Sequence, residues 1–290
     1  MGVQLPRRAG AATRRIGLGA VAGSALLLSA CSEQTRGEWQ RVAMPEPVTK
    51  EGPRLLEFWQ WSWVAGMIVF VLTGALILYT AFRYRRRHPD EVPVQTRYNV
   101  PLEILYTIVP IIIVVVFFNT TVRTQNYLTE ISDNPDHVIK VVGQQWSWTF
   151  NYVDESAADG KNVYDSGTGS HIPELVLPVD ETVVFELTSP DVLHSFWVIP
   201  FLEKEDVIPG KVNKLQVTPT EIGTYRGKCA ELCGAYHSRM LFNVRIVSRA
   251  DFDAYLQAQI DKGFWSEEPI LGNSATTDVV GRDVENGGSE

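Results

Sequence analysis

The first part of the chain carries three long apolar runs, whereas the remainder alternates between short apolar and polar stretches. Residues 16–30 form a run that is too short for a bilayer core, which needs roughly 20 helical residues. Residues 63–82 contain no charged side chain, and residues 104–119 form a third run that includes Pro110. The second and third runs predict two membrane-spanning helices, because membrane helices tolerate an internal proline.

The first apolar run has the features of a secretory leader. Four arginines and no acidic residue occur in residues 1–30, and the run ends in small residues. The sequence "LSAC" at its end resembles a bacterial lipoprotein box, so we expect residues 1–30 to be removed and Cys31 to be lipidated. An ordinary leader followed by a chance cysteine is the alternative. The sequence leaves open whether export uses the general or the twin-arginine route.

The segment between the two predicted spans sets their orientation. It carries five arginines, namely Arg83, Arg85, Arg86, Arg87 and Arg97. Arginine-rich loops stay in the cytoplasm, so both ends of the hairpin point outward, and lipidation on the outer face requires the same orientation. We therefore predict an extracytoplasmic segment over residues 31–57 and a hairpin over 58–123, with a cytoplasmic loop over 83–101, in the plasma membrane of a bacterial cell.

The charge of the chain argues against nucleic acid as a partner. The net charge is −8, and it becomes −12 when the four leader arginines are removed. The segment from Arg83 to Glu103 contributes +2, so the outward-facing part carries about −14. A basic protein that docks by electrostatic steering fits this charge. Ordinary solubility explains it equally well.

From Val138 onward, short β-branched and aromatic runs are separated by turns rich in proline, glycine and aspartate. This spacing predicts an antiparallel β-sandwich or barrel, which we place at residues 124–262, with a helix starting near Arg249. Residues 154–170 are expected to form a surface excursion of unknown role. Residues 263–290 are small, polar and acidic, which predicts a disordered tail.

The segment "CAELCGAYHSRM" concentrates metal-binding side chains. If Cys31 is lipidated, two thiols remain, Cys229 and Cys233, and outside the cytoplasm such a pair permits a disulfide. However, His237 and Met240 follow within the same segment, and sulfur ligands combined with imidazole favour copper. A zinc site has no need of the methionine, and the haem motif C-x-x-C-H does not occur in this sequence.

A second histidine, His194, lies at the end of a candidate strand in "SPDVLHSFWVIP". Two bridging thiolates could hold two copper ions, with one histidine completing each ion. Such a site has no free coordination position, so it suits electron transfer better than substrate binding.

The sequence resembles subunit II of haem-copper cytochrome c oxidases from about residue 56 to residue 260. The resemblance rests on the segments "LEILYTIVP", "GQQWSW", "DVLHSFWVIP", "DVIPGKVN" and "CAELCGAYHSRM". It implies a two-helix transmembrane hairpin followed by a cupredoxin-like β-sandwich that holds a binuclear CuA centre. It also implies that electrons come from a soluble or membrane-bound cytochrome c and pass to haem in subunit I, where oxygen is reduced to water and protons are pumped.

The resemblance also assigns roles to individual ligands. Cys229 and Cys233 would bridge the two coppers, His194 and Met240 would complete one ion, and His237 with the carbonyl of Glu231 would complete the other. The Glu231 side chain would reach a magnesium ion shared with subunit I. Alternatively, Glu231 is a surface acid that merely lies between two ligands.

Two further residues receive roles from the same resemblance. Trp146 would accept the electron from cytochrome c, although its alternation with Trp148, Phe150 and Tyr152 is equally typical of one buried face of a strand. Glu103 would be an entrance for protons, although an acid at a helix N-terminus is also favoured by the helix dipole.

Three other functions are compatible with parts of the sequence. A copper-delivery module is the main alternative, but it would favour an exposed, exchangeable site and would not need Trp146 or Glu103. A structural subunit with a Cys229–Cys233 disulfide would leave the histidines and the methionine unexplained. Nitrous oxide reductases share the cysteine-rich segment but need a large catalytic domain that this sequence does not contain.

Overall fold

The computed structural model describes residues 33–168 and 170–271. The predicted leader over residues 1–30, the lipidation site at Cys31 and residues 272–290 of the predicted tail lie outside this range. The chain divides into two compact units, Met1–Pro45 and Glu46–Glu290. The described part of the first unit contains one short helix, α1 (Glu33–Gln40).

The two predicted spans form the helices α2 (Gly52–Arg83) and α3 (Val100–Leu128). With 32 and 29 residues, both extend beyond the apolar runs, and each is longer than the roughly 30 Å of hydrocarbon in a bilayer. Helix α3 continues through Pro110. Large apolar side chains along both helices are exposed, for example Phe70 and Val114. Exposing such a large apolar surface to water is unfavourable, whereas contact with lipid or with a membrane-embedded partner buries it.

Eleven strands follow in the described residues: β1 (His137–Gln144), β2 (Ser147–Val153), β3 (Asn162–Ser166), β4 (Glu174–Pro178), β5 (Val183–Thr188), β6 (His194–Val198), β7 (Lys204–Val207), β8 (Asn213–Val217), β9 (Gly223–Cys229), β10 (Leu241–Val247) and β11 (Trp265–Ser266). They form one sheet in the order β11-β3-β2-β1-β5-β8 and a second in the order β4-β10-β9-β6-β7. The two sheets enclose the core, which confirms the predicted hairpin followed by a β-sandwich.

Strand direction differs from the expected antiparallel arrangement at two places. Strand β1 pairs with β5 in parallel, and β4 pairs with β10 in parallel. The chain moves from one sheet to the other between β3 and β4, β4 and β5, and β5 and β6. Because these consecutive strands are not joined as hairpins, the sheets can include parallel neighbours, which need long connections.

Two segments that were expected to lie outside the sandwich are part of it. The predicted surface excursion over residues 154–170 contains β3, which pairs with β2 and has buried residues such as Val163. The predicted disordered tail includes β11, which pairs with β3, and the N–H of Ile270 donates to the side chain of Asn151 at 2.9 Å. Both segments are polar, so their hydrophobic patterns gave little sign of strands.

Aromatic side chains fill the core of the sandwich. Trp148, Phe150 and Tyr152 of β2 are fully buried, so for these three residues the buried-face interpretation is correct. The rings of Phe196 and Phe242 stack with centroids 5.1 Å apart. The predicted helix is present as α4 (Arg249–Asp261), which buries Phe252 and Leu256 against the core.

A buried acid lies where the start of α2 meets the sandwich. Glu51 accepts a hydrogen bond from the N–H of Thr218 at 3.0 Å. Close by, one carboxyl oxygen of Glu203 is buried and has no hydrogen-bond partner among the described residues. Burial, followed by the charges of Glu51 and Glu205, raises the pKa of Glu203 to about 7.

The pKa of Glu203 makes the stability of this junction depend on pH. Because its pKa in the folded protein lies above the ordinary glutamate value of 4.5, the wild type should lose stability as the pH rises through the range from about 4.5 to about 7. Glu203→Gln removes this charge, so the variant should be more stable than the wild type at pH 8 by on the order of 1 kcal/mol, after allowance for partial exposure, and equal to it at pH 4.

Denaturation of the purified full-length protein in detergent, at both pH values, measures this difference. The exposed acid Glu221 provides the matched control, because Glu221→Gln should change stability little at either pH. An equal stability offset for Glu203→Gln at both pH values would contradict the expected titration.

Candidate metal centre

The cysteine-rich segment, residues 229–240, is the connection between β9 and β10, and we call it the ligand loop. Cys229 is the last residue of β9, and Met240 directly precedes β10. The N–H of Cys229 donates to the carbonyl of Met240 at 3.0 Å. The antiparallel pairing of β9 and β10 therefore brings the two ends of the ligand loop together.

His194 reaches the same place from a different part of the chain. It is the first residue of β6, which runs antiparallel to β9 so that Phe196 lies opposite Cys229. The N–H of Ala230 donates to the carbonyl of Ser195 at 3.0 Å. The register of these strands places the His194 side chain beside that of Cys229.

Six donor atoms converge between the strand ends. The sulfur atoms of Cys229 and Cys233 lie 3.9 Å apart, and Nδ1 of His194 lies 3.9 Å from the Cys229 sulfur. Nδ1 of His237 and Sδ of Met240 lie 3.6 Å and 3.8 Å from the Cys233 sulfur. The Glu231 carbonyl lies 3.2 Å from the Cys229 sulfur. The structure thus brings together every residue expected to bind copper.

The two cysteines are not joined to each other. Both are free thiols, and their 3.9 Å separation is almost twice the length of a disulfide bond. His194, Cys229 and Cys233 are close enough to share one metal ion. His194 and Met240 are fully buried, and the cysteines are 3–4% exposed. This donor set of thiols, imidazoles, a thioether and a carbonyl fits copper.

The electrostatics of the two thiols differ. Burial opposes ionisation of Cys229, but hydrogen bonds from His194 and from the backbone of Ser195 and Glu231 lower its pKa to about 7. Burial and the nearby charge of Cys229 raise the pKa of Cys233. One thiolate forms easily, and a metal ion would have to displace the second proton.

Asp191 orients His194, a contact that the sequence analysis missed. Nε2 of His194 lies 2.9 Å from a carboxylate oxygen of Asp191, and Nδ1 faces the cysteines. Hydrogen bonds to the outer nitrogen commonly fix the tautomer of a metal-binding histidine. Burial opposes the charge on Asp191, but the bond to His194 and the N–H groups of Gln145 and Val192 lower the pKa of Asp191. In the sequence, the position of Asp191 three residues before His194 is the feature that could have indicated this contact.

Trp146 lies outside the strand to which its alternation with Trp148 assigned it. Together with Gln145 it forms the turn between β1 and β2, and we call these two residues the β1–β2 turn. The indole Nε1 donates to the carbonyl of Cys233 at 3.2 Å, and the ring meets Tyr236 edge-on at 5.0 Å. Trp146 is half-buried, so it lies between the surface and the ligand loop.

The two remaining predicted residues are Glu231 and Glu103. Glu231 is half-buried, and its backbone carbonyl lies close to the Cys229 sulfur. Glu103 lies in the first turn of α3, where its carboxylate accepts a hydrogen bond from the N–H of Asn99 at 2.9 Å. The Asn99 side chain in turn accepts one from the N–H of Leu102 at 3.3 Å. Glu103 therefore contributes to a helix cap.

Comparison with known proteins identifies the family. Residues 137–247 match the family described as "Cytochrome C oxidase subunit II, periplasmic domain". A Streptomyces avermitilis protein named "Probable cytochrome c oxidase subunit 2" is 46% identical over 271 residues, which cover 82% of this chain and 85% of the relative. The cytochrome c oxidase subunit 2 of Corynebacterium glutamicum is 34% identical over 300 residues, covering 85% and 82%.

The chain belongs to the cytochrome c oxidase subunit II family. Members of this family are subunits of a respiratory oxidoreductase, and the two apolar helices and periplasmic domain fit a membrane protein whose sandwich lies outside the cytoplasm. Among solved structures, the periplasmic domain of subunit II of the Bradyrhizobium japonicum cytochrome oxidase is 28% identical, with a TM-score of 0.40, and the match covers 46% of this chain and 99% of that domain.

Proposed function

We propose that this chain is the electron-accepting subunit of a respiratory cytochrome c oxidase. The observation that carries this proposal is the convergence of two free thiols, two imidazole nitrogens and a thioether at adjoining strand ends. Electrons would come from a cytochrome c and pass to haem in subunit I, where oxygen is reduced and proton pumping is coupled to that reduction.

The residues that would hold a binuclear copper centre are Cys229 and Cys233 as bridges, His194, His237 and Met240 as terminal ligands, and Glu231 through its carbonyl. Bound there, two copper ions that share one electron supply one-electron transfer. Asp191 holds His194 with Nδ1 directed at the centre, and Trp146 contacts the carbonyl of Cys233 while its ring reaches the surface region near Tyr236. The chain would therefore supply both the ligands of the copper centre and, through Trp146, a path for electrons from the surface to that centre.

Burial of the donors favours electron transfer over copper delivery. His194 and Met240 are fully enclosed and both thiols are nearly so, whereas a delivery site has to release its ion. Opening this site would break the main-chain hydrogen bond from the N–H of Cys229 to the carbonyl of Met240, which joins the two ends of the ligand loop. A delivery module also gives no reason for an aromatic side chain on the Cys233 carbonyl.

The finer features of the proposal concern the membrane and the partners. The hairpin would anchor residues 124–262 outside the cytoplasm next to subunit I and the other oxidase subunits, with a lipid on Cys31 as a further anchor. The Glu231 side chain, which belongs to a half-buried residue, would reach a magnesium ion at the subunit I boundary.

Copper binding provides the main test. The full-length protein, loaded with copper in detergent, should show the electron-resonance hyperfine pattern of one electron shared by two copper nuclei. Cys233→Ser removes one bridging sulfur with almost no change in volume, so it should abolish the shared pattern. A single-copper spectrum or a silent sample from the wild type would instead favour the delivery module.

Trp146 provides the test of electron uptake. Trp146→Phe keeps an aromatic ring but loses the N–H bonded to the Cys233 carbonyl. Electron uptake from cytochrome c by the assembled oxidase should slow by on the order of tenfold, which corresponds to ~1.4 kcal/mol in the barrier, while the copper spectrum is retained. Wild-type uptake kinetics would remove Trp146 from the route.

Glu103 can be tested with a substitution that preserves its capping bond. Glu103→Gln still accepts the N–H of Asn99 but cannot carry a proton, so helix α3 should start normally. If Glu103 admits protons, turnover of the oxidase should slow while copper reduction by cytochrome c stays unchanged. Wild-type turnover would leave Glu103 with a capping role alone.

A further inference from the structure

Gln145 connects two parts of the metal centre that are distant in sequence. Its backbone N–H donates to a carboxylate oxygen of Asp191 at 2.7 Å. Its side-chain Nε2 donates to the carbonyl of Cys233, also at 2.7 Å. Both distances are at the short end of the range for N–H···O hydrogen bonds. Gln145 of the β1–β2 turn therefore forms hydrogen bonds both to Asp191, which orients His194, and to the ligand loop.

These bonds form a continuous chain around the donor atoms. Asp191 uses one carboxylate oxygen for His194 and the other for Gln145. The Cys233 carbonyl accepts from both Gln145 and Trp146, at 2.7 Å and 3.2 Å, and a carbonyl has two lone pairs for such bonds. Two donors of the β1–β2 turn thus occupy both lone pairs of the Cys233 carbonyl oxygen.

The conformation of Gly234 is independent evidence that the β1–β2 turn packs closely against the ligand loop. Its φ is +122°, a conformation that residues with a side chain rarely adopt. A Cβ at this position would lie 3.2 Å from Nε2 of Gln145 and 3.1 Å from the Trp146 ring. The loop therefore lacks a side chain at the point where the turn approaches it.

We propose that Gln145 is a positioning residue for electron uptake, which fixes Trp146 against the ligand loop and directs an N–H dipole at the Cys233 carbonyl. This inference rests on the proposed function. A fixed dipole whose positive end faces the cysteine-bound centre favours the form that carries the additional electron. Because the dipole is already in place, the turn needs no rearrangement when the electron arrives.

The test compares two glutamines that make the same kind of bond. Gln145→Met keeps the length of the side chain but removes its N–H. Gln257→Met removes an equivalent bond, from Gln257 on α4 to the carbonyl of Ala157, at a site that contributes no donor atom. Both variants are examined in the purified, assembled oxidase for copper content, spectrum, midpoint potential of the copper centre and electron uptake at saturating cytochrome c.

We expect Gln145→Met to retain its copper but to show a lower midpoint potential. Electron uptake should be about three- to tenfold slower, the effect of losing one hydrogen bond of ordinary net strength. Gln257→Met should match the wild type in every measurement. Identical midpoint potentials and uptake rates in the two variants would overturn the proposal, because a purely structural role for Gln145 does not require the potential to move.

A second variant covers the case in which Gln145→Met fails to assemble. Gln145→Asn moves the amide donor back by one methylene group, which lengthens or breaks its bond to the Cys233 carbonyl, so its midpoint potential should lie below that of the wild type. A wild-type potential in Gln145→Asn would then overturn the proposal. If the wild-type oxidase lacks the shared-electron copper spectrum, the proposed function itself fails, whereas a normal spectrum with unaltered variants contradicts only the role of Gln145.

Discussion

The metal centre depends on the register of three strands. Cys229 ends β9 opposite Phe196 of β6, and β10 begins directly after Met240, opposite Lys228. Because side chains alternate between the two faces of a sheet, a shift of one residue in the pairing of β6 with β9 would turn Cys229 away from His194. The pairing of β9 with β10 fixes the two ends of the ligand loop. Main-chain hydrogen bonds therefore determine the positions of the sulfur and nitrogen donors before any metal binds.

The sequence predicted that the candidate donor residues lie close together because four of them belong to one short segment. Cys229, Cys233, His237 and Met240 are close in the chain, so any fold of that loop keeps them near each other. The contacts of Asp191 and Gln145 are different in kind: Gln145 reaches across 46 residues to Asp191 and 88 residues to Cys233. Glutamine and aspartate are also common surface residues, so their identity alone predicts no contact.

The same contrast explains the errors in the fold. The alternation of Trp148, Phe150 and Tyr152 indicated β2, but β3, with the sequence "NVYDS", is polar and depends on its neighbours for pairing. Trp146 was placed on the face of Trp148 because a turn of two residues preserves the alternation of the strands on either side. Hydrophobic period alone cannot tell a continuous strand from two strands joined by such a turn.

The surroundings of the donors also explain why the site suits one-electron transfer. On the core side, the ring of Trp148 lies edge-on to that of His194 with centroids 6.3 Å apart, and its Nε1 donates to the Met240 carbonyl at 3.4 Å. On the surface side, Trp146 and Gln145 hold Cys233. Close-packed interiors resist displacement, so donors held from both sides should keep nearly the same geometry in both oxidation states. A site that exchanged its metal would need the opposite property.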